Sequence, residues 1–174
     1  MLATIEKYRK LISAIAASMV LFFIVLCALL SLLRPDLSFR SNQISDFLVG
    51  PYAGVAIIAF VCLAAASMLL ALVTYHTNKR LARVLFIYSL AVLAAGLTVP
   101  TTIIHSIAAL TAFVSIPIAV SFSRENLTFR VTWIFFIIIS FALWPIGIGS
   151  GERVTVLLEL LWLLQLALKE YPTK

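Results

Sequence analysis

The sequence predicts an all-α polytopic membrane protein, in which six transmembrane helices form one bundle with both termini in the cytoplasm. Three observations support this prediction: the composition, the lengths of the apolar segments and the uneven distribution of basic residues. The 174 residues are 63% hydrophobic and 11% charged, whereas soluble domains have about 45–50% and about 25%. With a mean hydropathy of +1.14, the composition excludes both a water-soluble domain and a disordered chain.

Six apolar segments define the predicted spans, since a transmembrane helix needs roughly 20 residues to cross about 30 Å of hydrocarbon. They are residues 11–33, 53–75, 84–99, 103–122, 131–149 and 154–168, which make residues 1–174 a single domain. The first span follows a basic segment, as a signal peptide would. Its 23 uncharged residues exceed the roughly 7–15 of the apolar region of a signal peptide, which favours an anchored helix.

The third and fourth spans come from one stretch, residues 84–123, whose 40 residues include no Lys, Arg, Asp or Glu. As a single helix this stretch would be about 60 Å long, or twice the thickness of the bilayer. It must therefore fold back on itself. The segment Val99-Pro100-Thr101-Thr102 is its best turn, because proline restrains the preceding residue and removes a hydrogen-bond donor.

Basic residues predict the orientation. With six spans, ten of the 13 Lys and Arg residues lie on the side of the termini: Lys7, Arg9, Lys10, Lys79, Arg80, Arg83, Arg124, Arg130, Lys169 and Lys174. Positive loops stay in the cytoplasm, so this side is predicted to be cytoplasmic, in the inner or plasma membrane. The net charge of +6 is explained without nucleic acid, although Arg80 and its neighbours also suit contact with anionic lipid.

No metal or other cofactor is expected. Cys27 and Cys62 both lie within spans and are interpreted as packing residues. The two histidines, His76 and His105, lie near opposite faces of the predicted membrane, which argues against zinc.

Polar residues in the sixth span form a stripe. Glu159 lies within an apolar run, Leu-Leu-Glu-Leu-Leu-Trp, and a carboxyl group at that depth normally faces the bundle interior and has a partner. Glu152, Thr155, Glu159 and Trp162 follow helical spacing and share one face. We expect Gln165 to extend this face toward the cytoplasm.

The fourth span and the first outer loop supply further candidates. His105 begins a line of small residues that allows close helix packing, and it shares the outer third of the membrane with Glu159. The polar loop segment at residues 40–46 would bring Asp46 toward His105. Together with Arg153, these groups suit either acid–base chemistry or the binding of a lipid headgroup.

Structural interpretations of the same residues remain open. His105 also suits a hydrogen-bonded packing position, and Glu159 also suits a pair with Arg153 or with the backbone. Asp46 is also a candidate helix cap, because it precedes apolar residues. Pro117 and Pro145 are interpreted as kinks within the fourth and fifth spans.

Three segments resemble a prokaryotic integral membrane family known as domain of unknown function 998. They are Ser-Asn-Gln-Ile-Ser-Asp at residues 41–46, Val99-Pro100 followed by His105, and Gly-Glu-Arg-Val at residues 151–154 followed by Glu-Leu-Leu-Trp at residues 159–162. The resemblance covers residues 41–168 and implies a helical membrane protein without supplying a reaction. The ligand-binding residues it implies are Ser45, Asp46, His105, Glu152, Arg153 and Glu159.

Three functional hypotheses follow. The first is an outer-facing pocket that binds a lipid headgroup or small amphiphile, in a protein that acts alone, as a homo-oligomer or as an accessory subunit of a membrane-protein partner. The second is an intramembrane hydrolase or acyl transferase that uses His105 as the base, oriented by Asp46 or Glu159. The third is a proton-coupled carrier with Glu159 as the titrating group. It is disfavoured because a carrier needs a polar path to the cytoplasm, and beyond Gln165 the sequence offers little except His76 at the far end.

Overall fold

A computed structural model describes residues 2–170, with side chains from residue 8 onward, and the described chain is all-α without a strand. Its six helices are α1 (Leu2–Leu33), α2 (Ala53–Thr74), α3 (Lys79–Leu97), α4 (Ile103–Phe122), α5 (Leu127–Ala142) and α6 (Ile148–Glu170). A short 3₁₀ helix, Ile44–Leu48, lies between α1 and α2. The predicted all-α fold with six helices is confirmed. Lys7 and Lys174, which entered the charge comparison, lie outside the described side chains.

Four helices, α1 to α4, are long and apolar enough to cross a membrane. They indicate that the protein is embedded in a membrane. The apolar helix α5 has 16 residues, or about 24 Å, which is less than the roughly 30 Å hydrocarbon layer. Helix α6 has 23 residues, but Glu152, Arg153 and Glu159 interrupt its apolar character.

The connection between α5 and α6 differs from the prediction. Helix α5 ends at Ala142, and α6 begins at Ile148, whereas the sequence predicted a fifth span through residue 149 and a sixth from residue 154. Pro145 ends the helix instead of bending it, because proline lacks the N–H that the next turn would use. Leu143 O accepts hydrogen bonds from the N–H groups of Ile146 (3.1 Å) and Gly147 (3.3 Å), which form a tight turn.

The predicted turn between the third and fourth spans is confirmed. Thr102 N–H donates to Val99 O (2.9 Å), and the hydroxyl of Thr102 caps α4 by accepting from the N–H of His105 (3.2 Å). Helix α3 begins earlier than the predicted residue 84, because the Asn78 side chain caps its first turn by accepting from Leu81 N–H (3.1 Å).

The helices form a closed ring. Each helix packs on the next in the chain, and α6 returns to α1. Arg9 of α1 pairs with Glu170 of α6, so both described chain ends lie at one end of the bundle, which we call the terminal end. Close contact between α2 and α3 depends on Gly96, where a Cβ atom would lie 2.3 Å from the Cβ of Phe60.

The opposite end of the bundle is covered by residues 34–52, which we call the cap loop. Arg34 is buried and holds the ends of this loop together. Its guanidinium group donates to the Asp36 carboxylate (2.8 Å) and to the carbonyl oxygens of Val49 (2.8 Å) and Pro51 (3.1 Å). The hydrogen bond from Arg34 lowers the pKa of the Asp36 carboxyl group. The cap loop therefore lies over the bundle as an ordered segment.

Candidate functional site

Glu152 connects the cap loop to the start of α6. Its side chain is buried, and its Oε2 atom accepts a hydrogen bond from the N–H of Ile44 at 2.9 Å. Nearby, Gly149 N–H donates to Arg40 O at 3.0 Å. At Gly149 a Cβ atom would lie 2.2 Å from the Asn42 carbonyl oxygen, so only glycine allows the loop to approach the helix this closely.

Arg153 lies at the edge of the same contact, between two aromatic rings. Its guanidinium carbon is 4.7 Å from the ring centroid of Phe39 and 5.8 Å from that of Phe47. One nitrogen, Nη1, donates to Phe39 O (3.0 Å), Asn42 O (2.5 Å) and Gly149 O (3.2 Å). Within the described chain, Nε and Nη2 make no hydrogen bond, so these donors remain available to a ligand.

Four of the six predicted site residues line one partly open cavity beneath the cap loop, of about 60 Å³. Ser45 comes from the 3₁₀ helix, His105 from α4, and Glu152 and Glu159 from α6. The predicted proximity of His105 and Glu159 is confirmed to the extent that both line this cavity. The other lining residues are Phe23, Ile44, Phe60, Leu63, Tyr88, Val92, Ala95, Ala109, Ala112, Phe113 and Val156.

Glu159 has the most unusual environment in the cavity. It is 2% exposed, and its Oε1 atom has no hydrogen-bond partner. It forms no ion pair with Arg153, whose hydrogen bonds go to carbonyl oxygens, so the predicted alternative of a Glu159–Arg153 pair is wrong. A buried polar atom without a partner is costly, and the residue that carries it lines the cavity.

His105 is held by the backbone of α3. Its Nδ1 atom is 3.0 Å from Ala95 O and 3.5 Å from the Thr98 hydroxyl. In a neutral ring Nδ1 therefore carries the proton and donates to Ala95 O, which leaves the lone pair on Nε2. The group that orients His105 is a carbonyl oxygen and not a carboxylate.

Asp46 and Arg153 do not line the cavity. The Asp46 carboxylate accepts from Gln43 N–H (2.8 Å) and from the Asn42 side chain (3.1 Å). It thus caps the short 3₁₀ helix, which is the structural interpretation that the sequence left open. The structure does not bring Asp46 into the cavity that His105 lines, and the Asp46 carboxylate is bound within its own loop.

The polar stripe on α6 is confirmed for Glu152, Thr155, Glu159 and Trp162, all of which are buried. Gln165 is exposed, so the prediction that it extends the stripe is wrong. A helix turns by about 100° per residue, and 13 positions after Glu152 this rotation moves Gln165 off the buried face.

A second depression, which we call the lateral groove, runs between α1 and α6 next to the cavity. Its volume is about 240 Å³, and it opens to the side of the bundle. Its lining is mainly apolar, and Arg153 is its only charged residue: Phe23, Ile24, Cys27, Ser31, Phe39, Ile44, Phe47, Arg153, Val154, Val156, Leu157 and Leu160.

Sequence reasoning missed Tyr88 and the lateral groove. Tyr88 is one of two aromatic residues in the third span, and its burial at 3% exposure distinguishes it from Phe86, which is exposed. The groove depends on the contact between the first and last helices, which no local pattern indicates.

The chain matches no protein-family model, no curated protein and no solved structure. The resemblance to domain of unknown function 998 has no support from these comparisons and stays a prediction.

Proposed function

We propose that this protein binds a membrane amphiphile, with its acyl chain in the lateral groove and an anionic headgroup at Arg153. The observation that carries the proposal is the combination of an apolar depression and one partly unoccupied guanidinium group at its edge. The groove accepts apolar chain along α1 and α6. Charge-assisted hydrogen bonds from Nε and Nη2 then suit a phosphate or carboxylate oxygen.

Arg153 is prepared for this role before a ligand arrives. Its Nη1 bonds to Phe39 O and Asn42 O hold the guanidinium group in place, so little side-chain entropy is lost on binding. The Phe39 ring, 4.7 Å away, restricts it further. A fixed donor pair next to an apolar groove matches the two chemically different parts of an amphiphile.

Two other apolar depressions on the bundle lack such a group. One of about 600 Å³ lies along α5 and α6, and one of about 380 Å³ lies along α3 and α4. No charged residue lines either of them. Lipid chains fill such surfaces whatever their headgroup, whereas in the lateral groove the charge of Arg153 favours lipids with an anionic headgroup.

The proposed topology has six membrane crossings, with both termini in the cytoplasm of a cell whose inner or plasma membrane holds the protein. The excess of Lys and Arg beside the terminal end supports this orientation. The cap loop and Arg153 then lie on the extracytoplasmic side.

Reporter fusions test this orientation. Fusions placed after Arg80 and after Arg124 are expected to be active as cytoplasmic reporters, and fusions after Arg40 and after Ser150 as extracytoplasmic ones. A cytoplasmic signal after Arg40 would reverse the orientation and place the binding site on the other face.

Photo-crosslinking tests the proposed occupant. In membranes that contain an anionic lipid with a photoactivatable group in its acyl chain, we expect adducts to concentrate on residues 23–31 of α1 and 154–160 of α6. A zwitterionic lipid with the same chain serves as the matched control and is expected to give fewer adducts there. The exposed face of α4, with Ile103 and Ile107, reports contact with bulk lipid.

Equal labelling of α4 and of the groove residues by both lipids would contradict the proposal. The apolar surface would then be ordinary lipid-facing surface.

A further inference from the structure

We infer that the cavity beneath the cap loop is a binding site for a small protonated amine, whose ammonium group pairs with Glu159. This site borders the lateral groove and shares Phe23, Ile44 and Val156 with it, but the polar groups of the two differ and the inference does not rest on the proposed function. It rests on the hydrogen-bonding groups of the cavity, on the unpartnered oxygen of Glu159 and on the aromatic lining.

The cavity has many acceptors and few donors. Two carboxyl groups, Glu152 and Glu159, line it together with His105, whose Nε2 lone pair is an acceptor when Nδ1 donates to Ala95 O. The hydroxyl groups of Ser45 and Tyr88 both donate and accept. A ligand that complements this set must bring N–H donors and positive charge.

Glu159 is the group with which the positive charge of the ligand would pair. A buried carboxyl group stays ionised only beside a counter-charge and hydrogen-bond donors, because the cost of burying the charge alone is large and the group otherwise takes up a proton. No Lys or Arg lines the cavity, and Oε1 of Glu159 has no partner. The ammonium group of a ligand would supply both the charge and the missing donors.

The remaining walls suit a small organic cation. The rings of Phe23, Phe60, Tyr88 and Phe113 line the cavity, and aromatic faces attract cations. A cavity of about 60 Å³ is large enough for a few non-hydrogen atoms and excludes a bulky quaternary ammonium group. The ligand class is therefore a compact primary amine.

Such an amine has two sources, a free small amine or the headgroup of an aminophospholipid. Thermal unfolding in detergent with ethylammonium chloride tests the first source. Ethanol and sodium chloride are the controls, since ethanol has the same size without the charge. Nanodiscs of phosphatidylethanolamine compared with phosphatidylcholine test the second source, because only the former headgroup carries N–H donors.

Glu159→Gln is the central variant, since it keeps the shape and removes the charge. We expect the parent to be stabilised by one of the two amine sources, and the apparent affinity of Glu159→Gln to be lower by at least about tenfold. Glu125→Gln is the matched control. Glu125 lies outside the cavity, where it pairs with Lys169 at 2.6 Å, so this variant is expected to bind like the parent.

Glu159→Leu separates binding from folding. It removes a buried polar atom that has no partner, so the unliganded variant is expected to melt at or above the temperature of the parent. It is also expected to gain no stability from either amine source. A variant that is folded and stable yet unresponsive cannot owe its lost response to unfolding.

Stabilisation of the parent by ethylammonium that is lost in Glu159→Gln would support a free amine. Stabilisation only in phosphatidylethanolamine nanodiscs, with the same loss, would support the lipid headgroup. No response of the parent to either source, or an equal response in Glu159→Gln, would overturn the inference and show a cavity that holds water only. Arg153→Gln is expected to keep the ethylammonium response, which distinguishes this inference from the proposed function.

Discussion

Replacing Gly149 with alanine is expected to lower the free energy of unfolding by about 1–3 kcal/mol, the usual cost of overpacking a tight contact. The added Cβ atom would lie 2.2 Å from Asn42 O and 2.8 Å from Asn42 N. Both are backbone atoms, so a side-chain rotation cannot relieve the clash. The cap loop must move away from α6, which breaks the bonds of Arg40 O and weakens those of Glu152 and Arg153.

Thermal unfolding in detergent measures the loss of stability, and limited trypsin digestion reports the loop. Arg40 is exposed in the cap loop, and cleavage after it is expected to be faster in Gly149→Ala. The control is Gly54→Ala in α2, where a Cβ atom would meet nothing within 4 Å. That change is expected to be neutral or stabilising by up to about 1 kcal/mol, because glycine is unfavourable within a helix. Equal melting and equal cleavage in the two variants would contradict the docked cap loop.

The bundle was predictable from the sequence because its strongest signals are local. An apolar segment of sufficient length has to form a helix when lipid offers no hydrogen bonds to the backbone. The turn at Pro100 followed from the length of one uncharged stretch, and the burial of Thr155 and Glu159 followed from helical spacing. Each of these inferences needed only the residues within one or two helices.

The features that were not predicted depend on contacts between distant segments. Asp46 lies near the cavity along the chain, but its carboxylate is bound by Gln43 N–H (2.8 Å) in a turn that the sequence did not indicate. Tyr88 lines the cavity because of how α3 is rotated in the ring. The groove exists because α6 returns to α1. Residue patterns do not encode these rotations and pairings.

The loss of anionic lipid on replacing Arg153 with glutamine is the second large expected effect. The variant removes the only charged side chain of the lateral groove, and charge-assisted hydrogen bonds contribute about 1.5–3 kcal/mol each. Retention of anionic lipid is therefore expected to fall by at least about tenfold. Arg153→Lys keeps the charge without the planar pair of donors, so its retention is expected to be intermediate.

Two controls separate this effect from a general disturbance. Arg80→Gln removes an exposed Arg at the start of α3 and is expected to retain lipid like the parent. Arg153 also holds the cap loop through Phe39 O and Asn42 O, so its replacement could disturb the loop as well as the lipid. A second pair of variants therefore leaves Arg153 unchanged. Leu157→Trp fills the groove from α6, and Leu110→Trp adds the same bulk on the exposed face of α4. Only the first is expected to displace lipid.

Native mass spectrometry tests amphiphile binding most directly. The protein is extracted gently and exchanged into an equal mixture of anionic and zwitterionic lipids with identical chains. The parent, Arg80→Gln and Leu110→Trp are expected to retain one anionic lipid through activation that removes zwitterionic lipid. Arg153→Gln and Leu157→Trp are expected to lose that lipid, while their melting temperatures show that they stay folded. A selective site in the lateral groove would be contradicted if the parent retained both lipids equally. It would also be contradicted if Arg153→Gln and Leu157→Trp were folded and retained the anionic lipid as the parent does.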